Sequence, residues 1–183
     1  ISEFLAHHVL SPGLLQCPPD WPAGSSEKVQ MMATGETEPT AIAMNCSGKH
    51  TGFLAACQHR GDDLESYLDP QHPLQRSILL TIERYSGERV AHTGIDGCGA
   101  PLHAISLGGL ATALSRVLSD ESETAKKLVR AIEAHPWAIA GEGHPNTRLI
   151  EALGGITKGG AEGVLVVALP SGVTAAVKIS DGN

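Results

Sequence analysis

The chain has 183 residues, of which 42% are hydrophobic and 18% charged, with a formal net charge of −7. That balance excludes a disordered acidic tail, and an excess of acidic over basic side chains disfavours nucleic acid and anionic membranes as partners. Aromatic residues make up only 3%, so the core must be aliphatic and a base-stacking surface is disfavoured.

Residues 2–10 have the composition of a short helix. From Ser11 to about Pro39 the chain shows scattered Pro, Gly, Ser and Glu without a sustained period, which predicts mostly loop, Ser25 included. Thr40-Ala-Ile-Ala-Met44 is a short apolar run and predicts a buried strand. A helix is expected from about Lys49 to His59, stopped by Gly61. Another follows Pro73, with Leu74, Ile78, Leu79, Ile82 and Tyr85 at helical spacing and Gly87 as its end. Leu107 to Leu118 repeats the pattern. Ser122 caps a further helix that His135-Pro136 terminates, and Asn146 starts a short one closed by Gly154-Gly155. Val164–Leu169, a Pro170-Ser171-Gly172 turn and Val173–Ile179 predict a β-hairpin. The expected fold is therefore α/β, with helices packed on an antiparallel sheet.

No apolar run approaches the ~20 residues of a membrane span, and no signal peptide opens the chain. The start at Ile1 and the stop directly after a strand-like run lead us to expect a single incomplete domain over residues 1–183. The four cysteines, Cys17, Cys46, Cys57 and Cys98, read as cytoplasmic thiols or metal ligands rather than a disulfide framework. Cys57 lies in an apolar helical run and is assigned to packing. Cys17, before Pro18-Pro19, carries no signal.

Chemistry concentrates in two segments. Asn45-Cys46-Ser47-Gly48-Lys49-His50 falls at an expected strand-to-helix junction. Asp96-Gly97-Cys98-Gly99-Ala100-Pro101 is a Gly-rich turn after a short strand. A helix N-terminus carries partial positive charge, which lowers the pKa of a cysteine placed there and disfavours a lysine's charged form. A neutral amine has a lone pair for a metal. A phosphate loop is rejected, because the glycine it needs five residues before Gly48 is Ala43 and Lys49 is followed by His50. A cysteine-nucleophile hydrolase, a two-cysteine metal site and a pair of tight turns with incidental thiols all stay open on local chemistry alone.

Those two segments, with Tyr67-Leu-Asp-Pro-Gln-His-Pro-Leu-Gln75, Ala140-Gly-Glu-Gly143 and Lys158-Gly-Gly-Ala-Glu162 in that order, resemble the inducible rhizobial-type L-asparaginases, the class 3 or asparaginase II family. The resemblance spans essentially the whole chain. It implies a fold related to serine β-lactamases and glutaminases, and amidohydrolase activity with serine–lysine catalysis. It also implies a zinc ion (Zn2+) held by Cys46, Lys49 and Cys98, with Asp96 beside the metal and Lys158 as the lysine of a catalytic pair. The substrate so implied is a small amide, L-asparagine. A homodimer is compatible with this reading.

The serine nucleophile of that family is expected to precede Ile1. Ser25-Ser-Glu-Lys28 has the spacing of a Ser-x-x-Lys motif. Chance alone supplies roughly half such a match here, and we assign it no role. His50 is read either as a group that orients a ligand beside Lys49 or as a hydrogen-bonding cap; His92, His103 and His144 rank below it. Lys158 is expected in a Gly-rich turn, Thr157-Lys-Gly-Gly160, ahead of the hairpin. The alternatives to the asparaginase reading are a cysteine-nucleophile amidohydrolase using Cys46 and a non-catalytic zinc-binding relative.

Overall fold

The computed structural model describes residues 1–182. They form two compact units: residues 1–80 with 92–103, and residues 81–91 with 104 onward. The fold is α/β, with helices packed against small antiparallel sheets.

The first unit contains α1 (Ser2–His7), α2 (Ser25–Ala33), α3 (Ser47–Arg60), the start of α4 (Pro73–Ser86) and a hairpin of β1 (His92–Ile95) and β2 (Pro101–Ala104), whose last residue counts with the second unit. α3 is helical because Ser47, His50, Thr51, Leu54 and Cys57 recur on one face and are buried together. It stops where Gly61 takes a left-handed φ of 73°. Leu5, Leu10, Leu15, Met44, Leu54, Tyr67 and Leu74 pack with Cys17, Cys57 and Cys98 into one core. Truncating a fully buried leucine such as Leu54 removes about 2–5 kcal/mol. Cys57, completely covered, packs as expected.

Two expectations in this unit are corrected. Thr40–Met44 is no strand: Thr40 makes a single bridge with Asp20, and the chain then turns, with the Ala43 amide donating to the Thr40 carbonyl and hydroxyl. Ser25 lies not in a loop but at the first position of α2. That helix has no fully buried residue, so it leaves no apolar period in the sequence to read.

The second unit holds the rest of α4, then α5 (Leu107–Ser119), α6 (Glu123–Ala134), α7 (Trp137–Ala140) and α8 (Pro145–Leu153). Ser106 and Ser122 cap α5 and α6 through their hydroxyls, accepting from the Gly109 and Ala125 amides. β3 (Ile156–Gly160), β4 (Val164–Ala168) and β5 (Thr174–Lys178) form an antiparallel sheet in the order β3-β4-β5, with α5 against β4 and β5 and α8 against β3. The β4–β5 hairpin is as the sequence predicts.

Lys158 is corrected: it sits within β3, opposite Val166, and not in a turn. Two glycines follow it in the strand where neighbouring side chains come close. A Cβ on Gly159 would lie 3.2 Å from the Asn146 amide, and one on Gly160 would lie 3.3 Å from Val164. Gly155, just before β3, has φ +75°, and a Cβ there would fall 2.2 Å from the Ala168 carbonyl oxygen. No helix of the described residues is long and apolar enough to cross a membrane.

Candidate metal centre

Cys46 occupies the N-cap position of α3, following a turn rather than a strand, and Lys49 leaves the first turn of that helix. Asp96 and Cys98 come from the turn joining β1 to β2. That turn is closed by the Gly99 amide on the Asp96 carbonyl (2.8 Å) and by the Asp96 amide on the Ala100 carbonyl (2.8 Å). Gly99, at φ +87°, supplies the left-handed residue the reversal needs. The Asp96 side chain braces the turn by accepting from the Gly97 amide at 2.8 Å.

Two loops thus deliver four polar groups to one place. The Cys46 and Cys98 sulfurs and an Asp96 carboxylate oxygen all lie within 4.8 Å of one another. Lys49 Nζ donates to Asp96 Oδ2 at 3.1 Å, and Cys98 Sγ approaches the same oxygen at 3.4 Å. Cys98 is 1% exposed, while Cys46 is half-buried and the Lys49 side chain keeps 39% of its surface.

The electrostatics correct two expectations. Burial pushes the Cys46 thiol up, and the neighbouring Cys98 and Asp96 add to that; the Lys49 charge only partly opposes them. The helix N-terminus does not produce a depressed thiol here. For Lys49, burial favours the neutral amine, but hydrogen bonds to Cys98 and Asp96 and the charges around it outweigh burial and hold the ammonium above its usual value. Asp96 is pushed up by burial and pulled further down by hydrogen bonds from Lys49, Cys98 and the Gly97 amide, so its carboxyl ends below the ordinary range.

This donor set fits a zinc ion. Tetrahedral zinc with bonds of ~2.0–2.3 Å places its ligand atoms about 3.3–3.8 Å apart, within the spread of the present group. Two cysteine sulfurs and a carboxylate are donors zinc accepts, Lys49 could join them only by giving up its proton, and a half-exposed site gives the ion a way in.

His50 lies behind Lys49, wholly buried. Its Nδ1 is 2.7 Å from the Tyr67 hydroxyl, whose oxygen also accepts from the Gln16 amide at 2.8 Å. The Tyr67 hydroxyl thus joins the Gln16 amide and His50 Nδ1 in one hydrogen-bonded chain. Burial first, then the Lys49 charge, hold His50 neutral with a pKa of about 4; burial raises Tyr67 to about 12. His50 is therefore an internal hydrogen-bonding group and not a helix-end cap.

Tyr67 had no role assigned from sequence. The signal was present in its motif, whose other members build the turn that holds it: the Gln75 amide donates to the Tyr67 carbonyl, and His72 Nδ1 accepts from the Leu74 amide. Cys17, silent in sequence, joins the same core and donates to the Ala41 carbonyl.

Lys158 belongs to the second unit. Its side chain is exposed and its amine donates to the Gly159 carbonyl, while Thr157 before it is buried. His144 caps α8, accepting from the Asn146 amide.

The L-asparaginase II family model matches the chain over residues 1–183. A comparison with curated proteins finds no match. With its whole length matched, the chain belongs to the L-asparaginase II family.

Proposed function

We propose that the protein hydrolyses L-asparagine to L-aspartate and ammonia by serine–lysine catalysis at a zinc-containing site, with the nucleophilic serine contributed from outside these 183 residues. The amidohydrolase part rests on family membership. The observation that carries the metal part is the convergence of Cys46, Asp96 and Cys98 within 4.8 Å, with Lys49 bonded to Asp96.

Cys46, Lys49 and Cys98 would hold the zinc after losing their protons, and Asp96 would align Lys49 through the hydrogen bond it accepts from that amine. When bound, the ion supplies a fixed positive charge able to orient a substrate carboxylate or carbonyl. Lys158 would take the serine proton as the hydroxyl attacks the side-chain amide and return it to the departing ammonia. Its amine is exposed on the strand, so this role requires substrate and nucleophile to cover it and strip its water. His50, kept neutral and oriented by Tyr67, would hold the first turn of α3 in place beneath Lys49.

The raised Cys46 thiol weighs against the cysteine-nucleophile alternative, since a thiol above its usual pKa contributes little thiolate at neutral pH. Elemental analysis of purified protein tests the assignment. One zinc per chain is expected, lost in Cys46→Ser and in Cys98→Ser; full retention in both variants overturns it. Rapid alkylation of Cys46 in metal-replete protein, with activity falling in step, would favour the cysteine nucleophile instead.

A further inference from the structure

The two thiols of the cluster have a relation to each other that needs no metal. The Cys46 and Cys98 sulfurs lie within 4.8 Å of each other. A disulfide requires ~2.05 Å, so roughly 3 Å of approach or less would join them. That approach would have to be made in the turn that carries Cys98. Gly97 and Gly99 flank it, and a Cβ on Gly97 would meet nothing within 4 Å. Access differs between the two: Cys46 is half-buried and Cys98 is buried. The remaining thiols are committed elsewhere, Cys17 to the Ala41 carbonyl and Cys57 to the interior of the core.

We propose that Cys46 and Cys98 form a redox pair which a hydroperoxide closes into a disulfide when the site holds no metal. The Cys46 thiol loses its proton to solvent as its sulfur attacks one peroxide oxygen; an S–O bond forms, the O–O bond breaks and hydroxide leaves, giving a sulfenic acid. The Cys98 thiolate then attacks the Cys46 sulfur, forming the S–S bond and expelling the second hydroxide. Two thiols lose two electrons and two protons in all, and the peroxide is reduced to two hydroxides that those two protons convert to water. Closure consumes both sulfur donors and leaves only Asp96 and Lys49. On the zinc reading given above, a bound ion and the disulfide therefore exclude each other.

Intact-mass and non-reducing peptide analysis of the unaltered protein, stripped with a chelator and treated with stoichiometric hydrogen peroxide, tests the pair. The expected result is a loss of two hydrogen atoms, a Cys46–Cys98 cross-linked peptide, and reversal by dithiothreitol. The cross-link should persist in Cys17→Ser and Cys57→Ala. Sulfinic acid accumulating on Cys46 without a cross-link, or a cross-link from either cysteine to Cys17, would overturn the proposal. A second arm uses zinc-loaded protein, in which one zinc should be released per disulfide formed. A cross-link in stripped protein, from preparations that never contain or bind zinc, would uphold the pair and refute the metal assignment. Zinc binding without any cross-link in the stripped protein would do the reverse.

Discussion

Lys49 leaves the first turn of α3 into a group of two thiols and a carboxylate that competes for its protons, whereas Lys158 leaves a regular antiparallel strand and bonds the carbonyl of the next residue. The first is fixed by its neighbours. The second is placed by the sheet, with Gly159 and Gly160 after it and buried Thr157 before it. The contrast teaches that a lysine can be positioned by side-chain chemistry or by backbone regularity, and the two should fail differently when disturbed.

The largest effect should come from removing the lysines in turn. In catalytically active protein, Lys158→Ala is expected to lower asparagine turnover at least ~100-fold with zinc content unchanged, while Lys49→Met should lose the zinc. Parallel steady-state kinetics and elemental analysis would show it. Zinc loss in the first variant or full zinc in the second would erase the distinction drawn above.

Next in size is Asp96→Asn, which keeps the shape and removes the charge that Lys49 and Cys98 share. Zinc affinity, measured by competition with a chromogenic chelator, should drop ~10–100-fold. An unchanged affinity would mean that Asp96 merely braces its turn through the Gly97 amide.

Tyr67→Phe probes the support beneath the first lysine. It leaves the Gln16 amide and His50 Nδ1 without their shared partner, so denaturant unfolding should show a loss of about 1–3 kcal/mol.

The smallest effect concerns the second unit at low pH. The Asp120 carboxylate accepts from the Tyr85 hydroxyl first and from Ser122 next, which holds its pKa at about 2. A folded pKa below the unfolded ~3.9 means that the contribution is complete above about pH 4 and is lost as pH falls towards 2. Asp120→Asn should flatten that stretch of the stability–pH curve, and an unaltered acid limb would show the contact contributes nothing.

What could be read in advance divides along the same line. α3, α4, α5, α6 and α8 were legible because each buries one face and ends at a Gly, Pro or capping residue, and the β4–β5 hairpin because its turn residues bracket two apolar runs. α2 was not legible, since a helix without a buried face leaves no period. Thr40–Met44 misled because five apolar or β-branched residues suit a buried turn as well as a strand when only Thr40 finds a pairing partner. At the cluster, the motif order pointed to Cys46, Lys49, Asp96 and Cys98. The direction of the Cys46 and Lys49 shifts did not follow, because it depends on burial and on hydrogen bonds that sequence spacing does not contain. Lys158 reads as part of a turn because Gly-Gly is a breaker; the close approach of Asn146 and Val164 to these glycines is a feature of packing that the sequence does not contain.

The two loops that meet at the cluster are far apart along the chain, and that distance has a cost in the unfolded state. Any link between positions 46 and 98, through an ion or through sulfur, ties a loop of 98 − 46 = 52 residues. Closing a loop of that length removes on the order of 4 kcal/mol of chain entropy from the denatured ensemble. The donors would thus act as a staple on the fold as well as a seat for an ion. Chelation should then lower the melting temperature and speed proteolysis between α3 and β1, even in a variant whose chemistry has been abolished elsewhere.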